Sequence, residues 1–212
     1  CPMKSVRDYI AQDMWGHILM TGPDIRGYLS GEKYPTVAEK KGYCQGIFTM
    51  YPHMMLGNFT RWLWEDGAPK PYEDFMSSSV EALSSKVQPV LEQCFDENHP
   101  LSQPERGKLL IPLLTDIIPK HVLTGFYDYM FAGNPEYKDI LDFWQGMEPI
   151  LSLTAQNLRW AYREEEPMTM AQRQEVFLFV GTRMAYLILK RWYDWQFGEE
   201  KMELPPGPPP QG

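Results

Sequence analysis

The sequence predicts an all-α protein, folded as a single-domain bundle of about six to seven helices. Six segments carry apolar residues at the spacing of one helix face. No segment shows the alternation of apolar and polar residues that is typical of a half-buried strand. The 212 residues are enough for one sizeable core and few for two. We therefore expect one bundle domain over residues 1–203, followed by a proline-rich tail over residues 204–212.

Two helices are predicted in the first third of the chain. The first covers about Val6–Met20, where apolar residues fall on related faces, and Gly22-Pro23 ends it. The second covers Thr36–Trp64 and opens with a capping box, in which a hydroxyl and the carboxylate three residues later satisfy backbone N–H groups. Pro52 lies inside this helix, and we expect a kink there because proline lacks the N–H donor.

The third and fourth predicted helices also contain prolines. The third runs from about Tyr72 or Ser79 to Phe95 and is broken or bent near Pro89. The fourth, Ser102–Phe131, opens with a second capping box and contains two prolines. Each proline removes a backbone donor and clashes with the preceding turn, at a cost of about 3 kcal/mol where nothing compensates. We therefore expect the fourth helix to be bent or split.

The last two predicted helices precede the tail. The fifth, Asn134–Tyr162, opens with an Asn-Pro pair, carries a long apolar stripe and bends at Pro149. The sixth, Thr169–Gly198, opens with a third capping box and ends at its glycine. Residues Leu204–Pro210 are of polyproline type and cannot be helical. This tail is either solvated or bound to a protein partner, since aromatic grooves recognise such segments.

The composition excludes one class of partner and argues against one kind of structure. The net charge of -8 and the pI of about 5.1 oppose nucleic-acid binding, which depends on clustered Lys and Arg. The most apolar stretch, Leu109–Phe131, contains Asp116, Lys120 and Asp128 as well as two prolines. We therefore expect a buried helix there and no membrane span.

The cysteines predict a reducing environment. Cys1, Cys44 and Cys94 are odd in number and share no spacing that is typical of a metal site. An odd number also argues against a disulfide framework. We therefore expect a cytoplasmic protein.

Histidines inside predicted helices raise the hypothesis of a metal site. His17, His53 and His121 have such positions, and metal sites in bundles take His and carboxylate ligands from facing helices. Asp13 lies one turn before His17, and Asp116 precedes the last of the three by five positions. The Glu-x-x-His pairs of di-iron bundles are missing. A metal role and a structural, hydrogen-bonded role both stay open.

Two parts of the chain carry motifs in an order that is known from one superfamily. Tyr9–Trp15 followed by Gly22–Leu29 is similar to an early Tyr-x-x-Gln helix and its proline turn. Glu39–Gly42 followed by His53–Leu56, which runs on to Asp66-Gly67, is similar to a Glu-x-x-Gly segment and a His-bearing segment. Together they cover under a third of the chain and resemble the haem oxygenase-like helical superfamily, which includes thiaminase II, the pyrroloquinoline quinone synthase and iron-containing oxidases.

The resemblance implies a haem oxygenase-like bundle with a polar site between its helices. The ligands of iron-binding members correspond here to Glu39, His53 and Asp116. The closing His and Asp cluster of those members has no counterpart in Phe143–Glu148. The resemblance is therefore compatible with iron and equally with a metal-free site, because thiaminase II and the quinone synthase act on small aromatic molecules without iron.

One functional hypothesis is a small-molecule-binding helical enzyme, an oxidoreductase if the resemblance extends to chemistry. Its small organic substrate would occupy a pocket between helices, with or without a metal. The predicted catalytic residues are His53 and His121, each as a general base or a metal ligand. The predicted substrate-binding residues are Asp13, His17, Tyr51 and Trp144.

The alternative hypothesis is a non-catalytic helical chaperone or accessory subunit of a redox complex. It would bind a protein partner through an aromatic surface and the proline-rich tail, and a homodimer stays open as well. The position of the tryptophans separates the two hypotheses, because monomers rarely expose large apolar patches. A closed pocket favours the enzyme, and an exposed patch favours the binding protein if it is formed by Trp62, Trp64, Trp192 and Trp195.

Overall fold

The computed structural model describes residues 5–9, 12 and 15–198, with the backbone alone at residues 6, 7, 15 and 17–19. These residues contain no strand, which confirms the all-α prediction. Asp13, the side chain of His17 and the tail over residues 204–212 lie outside the described part of the chain. The helices are α1 (Val6–Tyr9), α2 (Trp15–Ser30), α3 (Val37–Leu63), α4 (Tyr72–Cys94), α5 (Gln103–Pro112), α6 (Ile118–Phe131), α7 (Ile140–Ala161) and α8 (Met170–Phe197), with a π-helical segment (Leu113–Ile117) between α5 and α6.

The predicted capping residues start three of the helices. Ser102 at α5 and Thr169 at α8 form complete capping boxes with the residue three positions later. At α3 the Thr36 hydroxyl accepts from the backbone N–H of Glu39 at 3.1 Å and donates to its carboxylate at 3.0 Å. This helix therefore has the N-cap hydrogen bond but not the reciprocal bond of a full box.

The prediction that Gly22-Pro23 ends the first helix is wrong, because α2 continues through this pair to Ser30. Gly22 is buried, and a Cβ at this position would lie 4.0 Å from the side chain of Leu178 in α8. At this distance the contact is an ordinary one, and the packing of α2 on α8 offsets the hydrogen bond that the proline removes. The stop occurs instead at Gly31, whose φ of +82° favours glycine.

The other prolines inside the predicted helices affect the helices in two different ways. Pro52, Pro89 and Pro149 lie inside α3, α4 and α7, which continue through them. Pro112 and Pro119 instead flank the π-helical segment that separates α5 from α6. The fourth helix, predicted to be bent or split, is therefore interrupted by a π-helical segment while its backbone stays helical, and the wider π turn accommodates two prolines seven positions apart.

The predicted start of the fifth helix at Asn134-Pro135 is also wrong. The Asn134 side chain accepts from the backbone N–H of Glu136 at 2.8 Å, which stabilises a turn. The helix begins later, where Asp139 is the N-cap and accepts from Leu141 N at 3.0 Å. An Asn-Pro pair is typical both of helix starts and of turns, and here it forms a turn because the N-cap is the later Asp139.

Aromatic side chains fill the centre of the bundle. Phe59 of α3, Phe126 of α6 and Trp192 of α8 are fully buried, and ring centroids lie 6.0 Å apart for Phe59 and Trp192 and 5.9 Å apart for Phe126 and Trp192. Both pairs are edge-to-face, the arrangement that aromatic rings prefer. Many of the aromatic side chains of the chain thus lie in the core. A smaller cluster at the α5, α7 and α8 end consists of Ile111, Leu158, Ala161, Tyr162 and Val180.

One stretch passes a membrane test by length and composition alone. Gln103–Phe131 has a mean hydropathy of 1.3 over its most apolar window, 39% of which is buried inside the protein. Core helices of soluble proteins pass the same test. The sequence-based expectation of a buried helix without a membrane span therefore stays a prediction.

Candidate functional site

The inner face of α3 holds a buried histidine whose ring nitrogens both have partners. His53 is 0% exposed. Its Nδ1 lies 2.6 Å from the carbonyl oxygen of Thr49, and its Nε2 lies 2.6 Å from Oγ of Ser79 in α4. A carbonyl can only accept, so Nδ1 carries the proton and Nε2 accepts from the serine hydroxyl. Burial lowers the pKa of His53 and so favours the neutral ring.

The second predicted catalytic histidine lies on the other side of the same serine. Nε2 of His121 in α6 donates to the carbonyl oxygen of Ser79 at 3.1 Å, and its Nδ1 lies 3.0 Å from Nζ of Lys86 in α4. The ammonium group can only donate, so Nδ1 accepts and the ring is neutral. Burial lowers the pKa of His121, and the positive charge of Lys86 lowers it further. Ser79 therefore connects the two histidines, through its hydroxyl to one and its carbonyl to the other.

A tyrosine closes this cluster at the start of α4. The Tyr72 hydroxyl donates to the carbonyl oxygen of His53, and burial raises the pKa of the phenol. Its ring lies against Gly57 of α3, where an added Cβ would be 2.9 Å from a ring carbon. Gly57 thus permits the close approach of the tyrosine to α3.

The geometry of the Ser79 and His53 pair resembles that of a nucleophile and its base, but its surroundings do not. Ser79 is 7% exposed and the imidazole is completely enclosed, so a substrate has no path to either group. The serine lies inside α4, where backbone N–H groups bond within the helix and none is free to stabilise an oxyanion. The cluster instead joins α3, α4 and α6 through satisfied hydrogen bonds.

Ser79 is not among the site residues predicted from the sequence, although the sequence contains a signal for it. Phe75, Ser79, Leu83 and Val87 are spaced four positions apart and are all buried on one face of α4. A single hydroxyl in an otherwise apolar helix face needs a hydrogen-bond partner when it is buried. The pattern indicates that a partner exists, but only the packing of α3 on α4 shows that it is His53.

The predicted substrate-binding residues do not converge on one cavity in the described part of the molecule. The Tyr51 hydroxyl is half-buried and lies 3.4 Å from Oγ1 of Thr21 in α2. Trp144 of α7 is buried, and its indole N–H donates to Thr124 of α6 at 2.9 Å. Each side chain therefore has its polar contact with a different helix.

The predicted metal ligands are also separated. Glu39 is exposed at the start of α3, and Asp116 is exposed and pairs with Lys120 at 2.5 Å. Glu39 and His53 are fourteen positions apart on one helix, which corresponds to about 21 Å along its axis. Among the described residues no group of three or more His, Cys, Asp or Glu side chains could hold a metal ion.

Both described cysteines are buried thiols. Cys44 donates to the Tyr28 hydroxyl oxygen at 3.1 Å, and burial raises the pKa of its thiol to about 11. Burial also raises the pKa of Cys94. Neither forms a disulfide, and neither has the lowered pKa of a reactive thiolate.

The tryptophans that were expected to separate the two hypotheses do not form an exposed patch. Trp192 is completely buried. Trp62, Trp64 and Trp195 are half-buried and pack against the central core. The apolar side chains that do reach the surface include Met20 of α2, Met50 and Met54 of α3, and Leu141, Leu153 and Trp160 of α7.

The outer face of α3 exposes large apolar side chains and carries no charge. Met50 and Met54 are one turn apart and are 41% and 52% exposed. Between Gly42 and Thr60 the helix contains no Asp, Glu, Lys or Arg. We call the surface formed by Met50 and Met54 the methionine face.

A third exposed methionine lies on the neighbouring helix α2. Met20 is 79% exposed and precedes Thr21, the residue that approaches Tyr51 of α3.

No protein-family model matches this chain, and no curated protein or solved structure matches it. The resemblance to the haem oxygenase-like superfamily therefore stays a prediction.

Proposed function

We propose that this protein is a non-catalytic helical module that binds another polypeptide through the methionine face of α3. The observation that carries the proposal is the exposure of Met50 and Met54 on a helix surface that has no charged residue from position 42 to position 60. Among the described residues, the polar groups that could do chemistry are enclosed or dispersed. The proposal corresponds to the binding-protein hypothesis, with methionines in place of the expected tryptophans.

Methionine suits such a surface for physical reasons. Its side chain is unbranched and polarisable, so it adapts to a partner surface by changing rotamer. Complete burial of an exposed methionine contributes about 1.5–3 kcal/mol, and Met50 and Met54 have roughly half of that still to gain. Docking of a helix that covers both side chains would therefore be favourable without any ion pair.

Photo-cross-linking inside the cells that naturally produce the protein tests this function. A photoreactive amino acid replaces Met54 in one version of the full chain and Leu153 of α7 in the control, since Leu153 is similarly exposed at 58%. We expect discrete protein adducts from position 54, and we expect them to disappear when the substitution Met50→Glu is added. It is rejected if position 54 gives no adduct, or if Met50→Glu leaves the adducts unchanged.

A serine-dependent enzyme, which differs in class from the predicted oxidoreductase, is a second candidate because of one specific distance. The Ser79 hydroxyl lies 2.6 Å from an unprotonated Nε2 of His53, which is the contact that activates a serine nucleophile. This function requires the interface of α3 and α4 to open, since both groups are buried. A fluorophosphonate probe tests it directly. Labelling of Ser79 that is lost in His53→Gln would support the enzyme, and an unlabelled Ser79 in folded protein would reject this mechanism.

A further inference from the structure

Along the outer surface of α3, the first half carries glycines and the second half carries large side chains. Gly42, Gly46, Met50, Met54 and Asn58 follow one another at intervals of four and form one ridge of the helix. A Cβ at either glycine would meet nothing within 4 Å, so the fold of a single chain does not require these glycines. Glycine inside a helix costs about 1 kcal/mol relative to alanine. On the glycine side of Met50, another helix can therefore approach the backbone of α3 closely. On the other side, the Met54 side chain protrudes.

Charged residues mark the two ends of this surface. Glu39 and Arg61 are both exposed, and each is eleven positions from Met50, which is about 16 Å along the helix axis. Lys41 is paired with Glu92 at 2.7 Å and does not neutralise Glu39. Lys40 projects about 100° around the helix from it. In line with Met50, the nearest charge is therefore negative at one end of α3 and positive at the other, with Glu65 and Asp66 following beyond the end of the helix.

From this arrangement we propose that the methionine face binds α3 of a second copy of this chain, as an antiparallel pair with a two-fold axis at Met50. The inference rests on the proposed function and names its partner. In this pair, Met54 of one copy is level with Gly46 of the other. Arg61 of one copy is level with Glu39 of the other. The symmetry repeats each of these pairings, so that protruding side chains meet open backbone and opposite charges meet at both ends.

The charges also select the direction of the pair. A parallel pair would place Glu39 beside Glu39 and Arg61 beside Arg61, and like charges that face each other are unfavourable. The antiparallel arrangement replaces both repulsions by attractions. A closed two-fold pair also covers Met50 and Met54 of both copies and leaves neither methionine face open to further copies.

Analytical ultracentrifugation of the full chain tests the pair. We expect a species of about twice the 24.7 kDa chain mass. Met50→Glu places two carboxylates at the axis and should raise the dimer dissociation constant by at least about 30-fold, as for a central hot-spot residue. The control Leu153→Glu should leave the constant unchanged. A dimer that Met50→Glu does not weaken overturns the inference.

Charge exchange tests the direction independently of the methionines. Glu39→Arg and Arg61→Glu should each weaken the dimer, and the double variant should recover most of the original affinity. These residues are exposed, and circular dichroism checks that each variant is folded. Absence of recovery in a folded double variant overturns the antiparallel arrangement.

A cysteine introduced at position 50 tests directly whether the two copies are in contact at the two-fold axis. In a Cys1→Ser background, Met50→Cys should form a disulfide-linked dimer on mild oxidation, and Leu153→Cys should not. If the chain is monomeric at every concentration while position 54 cross-links a different protein, this inference fails and the proposed function stands. If the chain is monomeric and position 54 cross-links nothing, both fail.

Discussion

On the inner face of α3, Thr49, His53 and Thr60 are buried and each has a hydrogen-bond partner, whereas on the outer face Met50 and Met54 are about half exposed. The inner residues are the ones whose chemistry suggests catalysis. In the described structure the two threonine hydroxyls instead bond to carbonyl oxygens of α3 itself, and His53 connects α3 to Ser79 of α4. The outer residues have no reactive group, yet they are the ones available to another molecule. A side chain's reactivity and its availability are therefore separate properties, and on this helix they lie on opposite faces.

We therefore expect substitutions on the inner face of α3 to change folding stability and substitutions on its outer face to change association with a partner. The largest effect on stability is expected for Phe59→Ala. Phe59 is completely buried and contacts Tyr9 and Trp192 edge-on at centroid distances of 5.4 and 6.0 Å. Loss of the ring should lower the free energy of unfolding by about 3–5 kcal/mol, because a cavity remains in a close-packed core. Urea unfolding measures this change in the free energy of unfolding. A loss below about 1 kcal/mol would contradict the packing described for this face.

His53→Ala is expected to have the next largest effect. It removes two hydrogen bonds and leaves the Ser79 hydroxyl unpaired in the core, at a cost of about 2–4 kcal/mol in the free energy of unfolding. Ser79→Ala should cost about 1 kcal/mol, since the serine carbonyl still accepts from His121. Urea unfolding of both variants tests the order. Equal losses, or none, would show that the histidine is not held as described.

The pH dependence of stability should be smaller but characteristic. The pKa values of His53 and His121 are lowered in the folded protein, so the unfolded chain binds more protons than the folded chain as the pH falls below about 6.5. Stability should be complete above that pH and fall from there towards pH 5, with a slope of at most about 1.4 kcal/mol per pH unit for each histidine. Unfolding measured between pH 5 and 8 checks this. In His53→Gln the slope should be shallower, and an unchanged slope would contradict the role of this histidine.

The smallest effect on stability is expected on the outer face. Met54→Ala should change the free energy of unfolding by no more than about 0.5 kcal/mol, because the side chain is half exposed. The same substitution should nevertheless weaken association. Urea unfolding and ultracentrifugation on one preparation compare the two effects. A clear loss of stability would mean that Met54 belongs to the core of the single chain.

Local signals predicted local structure well. The capping residues Ser102 and Thr169 act within one turn of a helix, so their sequence patterns are sufficient. Gly22-Pro23 was interpreted as a stop because the packing of α2 on α8 is not visible in a local pattern. The positions of helix ends that depend on distant contacts could not be predicted.

The candidate site was predicted less well, for two different reasons. The separation of Glu39 and His53 follows from the predicted second helix itself, so their joint role as ligands could have been excluded from the sequence. The connection of His53 to His121 through Ser79 depends on how three helices pack. No spacing in the sequence contains that information.

Photo-cross-linking from position 54, with position 153 as control, tests most directly whether the outer face of α3 binds protein. We expect adducts from position 54 that Met50→Glu abolishes, and no comparable adducts from the similarly exposed position 153 on α7. Equal yields from the two positions, or none from position 54, would contradict it.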